Sequence, residues 1–249
     1  MKKLLPQIIL VMLLVLSAVA TGLAQEQLKS AATDLEKGWQ KLDIPLLEKA
    51  LMTFDAMAKK NPKDHLAPYY AAKAHYAIAD CFDVKSNKEF DDTGEGDNHI
   101  NAALDMIKTS LTAKDNSADT HILKFLVIRR KMFRVGFPML MMHVSTRKEA
   151  YNRAKELAPN TLMVQLLSAL EVAEGGWPPP PPEKAVTEFE KLLKKDPKMA
   201  EAYYEIGTIW EKAKKTADAR KNYKKALEVN PNHHWAKKKL KGLASGSGA

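Results

Sequence analysis

The stretch Ala200–Asn232, AEAYYEIGTIWEKAKKTADARKNYKKALEVNPN, decides the fold of this chain. Its apolar residues recur at intervals of three and four, which is the spacing of one face of an α-helix. The pattern is interrupted at Lys214–Thr216 and ends at Asn230-Pro231. Because proline has no amide hydrogen to donate, a helix commonly stops just before it. The stretch therefore predicts two antiparallel helices joined by a short turn.

Small residues stand where these two helices are expected to cross. Gly207 in the first helix and Ala219 in the second leave room for the two backbones to approach closely. Larger side chains then fill the space around the crossing. The structural positions predicted in this way are Tyr203, Ile206, Gly207, Trp210, Ala219, Tyr223, Ala226 and Pro231.

This set of positions resembles the tetratricopeptide repeat (TPR), a helix pair of about 34 residues. The spacing of Ala219, Tyr223 and Pro231 recurs upstream, fully at Ala185/Phe189/Pro197 and Ala50/Phe54/Pro62 and more weakly before Asp115 and Pro159. The longer intervals upstream are expected to place their extra residues between the two helices of a pair. The predicted repeats span about 26–62, 66–115, 118–159, 162–197 and 200–232.

The resemblance implies an all-α fold, an α-solenoid of about five TPR-like helix pairs that form a right-handed superhelix. The helical repeat domain would cover residues 25–244. Its last segment, 233–244, is predicted to be a C-terminal capping helix, because a terminal repeat needs a polar outer face to be soluble. Residues 245–249 are expected to form a flexible tail.

Residues 1–24 have the pattern of a secretory signal peptide. Lys2-Lys3 form a basic start, Leu4–Ala20 an apolar run, and Gly22–Ala24 a cleavage site before Gln25. This predicts an exported bacterial protein, periplasmic or secreted, without a stable transmembrane segment after cleavage. An uncleaved signal that anchors the chain in the membrane is the alternative.

Composition narrows the class of partner. The 249 residues carry a formal net charge of +9, and the lysines are spread over several helix faces rather than clustered with arginine and aromatic residues. Nucleic acid is therefore not an expected partner. Cys81, the single cysteine, cannot form an internal disulfide and is expected to be a small buried apolar residue.

The sequence contains no motif that carries a known catalytic or cofactor chemistry, so we predict no enzyme activity, no catalytic residue, no cofactor and no metal. The acidic loop Asp91–Asp97 is the main candidate cation site, ahead of the adjacent pair His233-His234. A calcium-binding loop that begins at Asp91 would require glutamate at its twelfth position, where the chain has Ala102. A solvated loop is the preferred interpretation, and cation binding there is left open.

Two irregular segments interrupt the repeats. Met139–Met142 either packs in the core or forms an adaptable binding surface, because methionine side chains conform to varied partners. Pro178–Pro182 favours a stiff extended segment, which would act as a spacer that projects Trp177.

In the TPR family, the first helices of the repeats line a concave groove that commonly binds a peptide or a partner protein. The resemblance therefore implies a scaffold, with partner identity and oligomeric state unknown. The alternative is a periplasmic small-molecule or lipid-binding protein associated with a transport system, which would have an apolar pocket beside Leu166 and Met141. The groove positions implied by the resemblance are Tyr70, Ile122, Arg129, Leu166, Tyr204, Thr208 and Glu211.

Overall fold

The computed structural model describes residues 4–86, 88, 90, 91, 93–175 and 178–245, with side chains from residue 22 onward except those of residues 137 and 138. All regular structure in these ranges is α-helical, which confirms the predicted all-α fold. The helices are α1 (Leu4–Lys41), α2 (Ile44–Lys60), α3 (Leu66–Lys85), α4 (Glu95–Ala113), α5 (Ala118–Met132), α6 (Phe137–Leu157), α7 (Leu162–Glu174), α8 (Pro182–Lys195), α9 (Ala200–Lys212), α10 (Thr216–Val229) and α11 (His234–Ala244).

Short polar residues begin several of the helices. The side chain of Asp43 accepts a hydrogen bond from the Leu46 amide at 3.1 Å, and Pro45 occupies the first turn of α2. Thr161 caps α7 through the Val164 amide at 3.4 Å. These caps satisfy backbone N–H groups that have no partner within the helix, which fixes where each helix starts.

The chain forms two compact units, and α3 and α4 contribute residues to both. The first unit contains residues 1–81 and 101–115, and the second contains residues 82–100 and 116–249.

The core of the first unit is built from α1, α2 and the alanine-rich helix α3. Leu35, Leu47, Phe54 and Ile78 are fully buried there, and so is the thiol of Cys81. At one edge of this core, the indole N–H of Trp39 donates a hydrogen bond to Asp80 at 2.8 Å.

The core of the second unit runs from α5 to α9. Phe125, Leu167 and Phe189 are completely buried in it. A smaller cluster around Tyr223 joins α9, α10 and α11. A Cβ atom built on Gly207 would lie 2.5 Å from Cε1 of Tyr223, so α9 and α10 cross at a point where only glycine fits.

The extra residues of the third pair do not lie where the sequence suggested. Only residues 133–136 separate α5 from α6, whereas α6 is 21 residues long and its counterpart α10 is 14. The additional length has therefore become helix rather than loop. In the second pair, by contrast, a long connection does separate α3 from α4. Among residues with described side chains, no helix has the length and apolar character needed to cross a membrane.

Candidate partner-binding surfaces

The predicted groove position in the first unit is Tyr70. Its ring is half-buried and stacks on Phe54, with the ring centroids 5.3 Å apart and the planes inclined by 21°. The ring of Tyr69 meets the same ring edge-on, with the centroids 5.1 Å apart. Tyr70 thus presents only part of its surface, and its position is fixed by its aromatic neighbours.

Two of the predicted groove positions belong to the core. Ile122 is 9% exposed and Leu166 is 5% exposed, and both pack in the cluster that contains Phe125 and Phe189. The space between α5 and α7 is filled by these apolar side chains. Both side chains therefore belong to the core and not to an exposed binding surface.

Arg129 connects three helices through a network of ion pairs. Its two Nη atoms each donate to a carboxylate oxygen of Glu205 at 2.9 Å, and its Nε donates to Glu174 at 2.7 Å. Arg147 also reaches Glu174 at 2.6 Å, and Glu171 at 2.8 Å. Because α5, α6, α7 and α9 each supply a member, the network holds these helices in register.

The opposite charges in this network each favour the ionised form of their partners. Burial alone would lower the pKa of Arg129, but the carboxylates of Glu174 and Glu205 raise that pKa well above its usual value. Burial would likewise raise the pKa of Glu174, but Arg129 and Arg147 bring it below the usual 4.5. Arg129 is thus engaged within the fold, and its side chain is only 19% exposed.

The remaining predicted groove positions, on α9, face α10 and α11. The ring of Tyr204 lies 4.9 Å from that of His233 and 5.7 Å from that of Tyr223. The hydroxyl of Tyr223 donates to Glu211 and lies 3.4 Å from Oγ1 of Thr208. Burial raises the pKa values of both tyrosine hydroxyls, so both stay protonated at every physiological pH.

The first two turns of α6 are apolar and yet exposed. Met139 is 46% exposed, Met141 56%, Met142 63% and Val144 37%. We call these four residues the methionine face. Their exposure excludes the core-packing interpretation of Met139, Met141 and Met142. All four residues lie in the first two turns of α6, so this end of the helix presents apolar side chains to solvent.

A second surface combines aromatic rings with cationic side chains. Phe90 stacks on Phe133 with a centroid distance of 6.1 Å and an angle of 9°, and it lies 6.5 Å from the ring of Trp235. We call the surface formed by Phe133 and Trp235 the aromatic site. Four cations lie over its rings: Arg129 and Lys212 over Phe133, and Arg130 and Lys238 over Trp235.

The acidic loop acts as a structural connection in this arrangement. The carboxylate of Asp91 accepts hydrogen bonds from Thr93 and from the amide of Gly96, at 2.8 and 3.1 Å. Partial burial opposes ionisation, but these hydrogen bonds keep the pKa of Asp91 below its usual value. Asp97 pairs with Arg134 at 2.6 Å. Within the described residues, no three His, Cys, Asp or Glu side chains converge as a metal site requires.

Two shallow hollows among the described residues are lined mostly by polar and charged residue types. One is lined by α6 residues from Ser145 to Glu156, and the other by Pro62, Lys63 and residues of α4. Neither reaches Leu166 or Met141, where the alternative small-molecule or lipid-binding function would require an apolar pocket. Trp177, the residue predicted to project from the proline segment, lies outside the described residues.

Comparison with known proteins agrees with this helix-pair arrangement. Residues 200–233 match the family model of the tetratricopeptide repeat. A thermophilic TPR protein of Thermus thermophilus is similar over 86% of this chain and 99% of its own, with a TM-score of 0.61 and 16% identity. The human IFIT1 dimer with PPP-AAAA is similar over 88% of this chain, with a TM-score of 0.54 and 17% identity, and the match covers 46% of the IFIT1 chain.

At these identities the structural likeness is evidence of the fold alone. No curated protein matches the sequence. The sequence match is thus to one tetratricopeptide repeat at residues 200–233, and the chain has the helical-repeat fold of TPR proteins.

Proposed function

We propose that this chain is a protein-interaction scaffold whose partner covers the methionine face of α6. The observation that carries the proposal is the exposure of Met139, Met141, Met142 and Val144, which ranges from 37% to 63%. A helix segment that is apolar on most sides is normally buried. Contiguous apolar side chains left in water are typical of surfaces that another molecule covers.

The chemistry of the segment favours a protein over a lipid surface. Residues 135–146, VGFPMLMMHVST, contain no Asp, Glu, Lys or Arg. A helix that lies on a membrane usually pairs its apolar face with a strongly basic one, which this segment lacks. Methionine is flexible and polarizable, so a helix end rich in methionine adapts to an apolar groove of a partner protein.

Export is part of the proposal. It is supported by the basic start, apolar run and cleavage site of residues 1–24. Mass spectrometry of the protein isolated from its own cells tests this directly. We expect a mature chain that begins at Gln25, and a chain that retains Met1 would contradict cleavage.

Site-specific photo-crosslinking in the native cells tests the binding surface. A photoreactive amino acid would replace Met142 in one version of the chain and Met52 in another. Met52 is the matched control, because it is a methionine of similar exposure, 72%, on α2. We expect position 142 to give a covalent adduct with one particular protein and position 52 to give none.

The identity of the adduct decides between the possible occupants. After the partner has been purified, Met142→Glu is expected to weaken its binding to the full chain, and Met52→Glu is expected to leave binding unchanged. An adduct with lipid alone, with a second copy of this chain, or with no molecule would overturn the proposal.

A further inference from the structure

The aromatic site is covered by a piece of the chain itself. Phe90, which follows α3, lies against both Phe133 and Trp235. Two residues earlier, the carbonyl oxygen of Lys88 accepts a hydrogen bond from Nζ of Lys238 at 2.6 Å. One residue later, the amide of Asp91 donates to Asp83 at 2.8 Å. The chain around Phe90 is therefore held by one ring and by hydrogen bonds of backbone groups on either side of it.

The walls of the site are also joined by contacts that do not involve the Phe90 ring or Lys88. The side chain of Asp83, near the end of α3, is fully buried and pairs with Arg130 at 2.7 Å and also with Arg134. The guanidinium of Arg130 in turn lies 5.0 Å from the centre of the Trp235 ring. These contacts join α3, α5 and α11, and none of them uses Lys88 or Phe90.

The covering segment, in contrast, lies at the surface. Lys88 is exposed and Phe90 is half-buried. The ring of Phe133 is still 46% exposed beside it. A segment held by one partly exposed ring and a few hydrogen bonds can leave without dismantling the core of the second unit.

The contacts of the segment show what chemistry the site selects. The ring of Phe90 stacks on Phe133, and Cζ of Arg134 lies 5.6 Å from the Phe90 centroid. Nζ of Lys238 donates a hydrogen bond to the backbone carbonyl of Lys88, two residues before that ring. Arg129, Arg130 and Arg134 are paired with carboxylates of the fold, but Lys212 and Lys238 add positive charge beside the rings. The chain as a whole is also positively charged, which favours a segment with acidic residues next to the aromatic one.

We propose that the aromatic site is a second docking surface, for an acidic peptide segment that carries an aromatic residue, and that Phe90 occupies it as an internal ligand. Such a peptide must displace Phe90 in order to bind. Because Phe90 is tethered to the site, its effective concentration there is on the order of millimolar. The native chain therefore binds a competing peptide much more weakly than a chain without the Phe90 ring does.

A labelled synthetic peptide with the chain's own sequence, SNKEFDD from residues 86–92, is the probe. Its affinity is measured by fluorescence anisotropy for the full native chain and for Phe90→Ala. We expect about tenfold tighter binding to Phe90→Ala, since that variant lacks the internal competitor. The control peptide SNKEADD, which lacks the aromatic ring, is expected to bind neither protein measurably.

Two further measurements locate the peptide and guard against misfolding. Lys238→Met in the Phe90→Ala background is expected to weaken binding of the peptide, because it removes the donor to a backbone carbonyl of the peptide. In the native chain, a large excess of peptide is expected to accelerate amide hydrogen exchange around residues 88–91. Thermal melting confirms that each variant is folded.

Equal affinity of SNKEFDD for the native chain and a folded Phe90→Ala variant would overturn the proposal, and so would the absence of binding to either. Binding that Lys238→Met leaves unchanged would place the peptide elsewhere and also overturn it. The methionine face is intact in every variant, so this outcome is independent of the partner proposed for α6.

Discussion

Gly207 and Tyr223 touch at the crossing of α9 and α10 with no space to spare, since a Cβ atom on Gly207 would lie 2.5 Å from Cε1 of the tyrosine ring. The ring has little freedom to move away. It is fully buried, and its hydroxyl is held by Glu211 and lies 3.4 Å from Oγ1 of Thr208. The contact therefore sets the distance between the two helices.

Gly207→Ala is expected to lower the free energy of unfolding by about 1–3 kcal/mol, because the added methyl group forces the helices apart. Helix propensity acts in the opposite direction and favours alanine by about 1 kcal/mol. Urea denaturation followed by circular dichroism measures the balance. Glu201→Ala, an exposed change on the same helix, is the control and should stay within about 0.5 kcal/mol of the native chain. A variant as stable as the native chain would contradict a tight crossing.

Arg129→Ala is expected to cost about 3–5 kcal/mol, because it leaves the buried carboxylates of Glu174 and Glu205 without their main partner. The comparison is Lys191→Ala, which breaks an exposed pair with Glu188 at 2.7 Å and should cost under about 1 kcal/mol. Chemical denaturation of both variants gives the two values. If the Arg129 variant lost no more stability than the Lys191 variant, the network would not connect the helices as described.

The lowered pKa of Glu174 makes the stability that this network contributes depend on pH. Its pKa in the folded chain lies below the usual 4.5, so the unfolded chain takes up a proton first as the pH falls. The stabilisation is therefore complete above pH 4.5 and is lost as the pH falls through the lower pKa of the folded state. We expect the stability difference between the native chain and Glu174→Gln to shrink between about pH 7 and about pH 3 in denaturation experiments. A difference that stays constant with pH would contradict this assignment.

The helix pairs could be predicted from the sequence because the residues that determine each pair lie close together along the chain. Turn residues such as Asn230-Pro231 and small residues such as Gly207 mark boundaries and crossings within a few residues of one another. The ends of α9 and α10 follow directly from such signals. The length of α6 was not predicted, because Gly136 and Pro138 are residue types that commonly interrupt a helix. In the structure they lie at the start of α6, with proline in its first turn.

The surfaces were harder to predict because they depend on distant residues. Ile122 and Leu166 were assigned to the groove by analogy of position, but their neighbours on other helices make them core. Arg129 was also assigned to the groove by analogy of position, and its ion-pair partner Glu205 lies 76 residues away along the chain. The aromatic site joins Phe90 to Trp235 across an even longer separation. A single sequence carries no periodic signal for such pairs.

Trp39 provides a test of the first unit. Its indole N–H donates to the carboxylate of Asp80 at 2.8 Å, and its ring meets that of Tyr76 edge-on at 5.9 Å. Trp39→Phe keeps an aromatic ring but removes the donor, so the buried carboxylate loses one hydrogen bond. We expect a loss of about 1–3 kcal/mol in denaturation experiments. Lys49→Ala, which breaks only an exposed pair with Asp34, should change stability by under about 1 kcal/mol.

The effect of substitutions in the methionine face on the free energy of unfolding distinguishes an exposed binding surface from a part of the core. Met141 and Met142 are 56% and 63% exposed, so Met141→Ala and Met142→Ala together should change the free energy of unfolding by less than about 1 kcal/mol. Leu167→Ala is the contrasting variant, because Leu167 is fully buried and its truncation should cost about 2–5 kcal/mol. Thermal and urea denaturation of the purified full chain measures both. If the methionine variant lost as much stability as the leucine variant, the methionines would be needed for folding. Exposed methionines that stability does not require are instead available for a partner, which is the condition that the proposed scaffold function depends on.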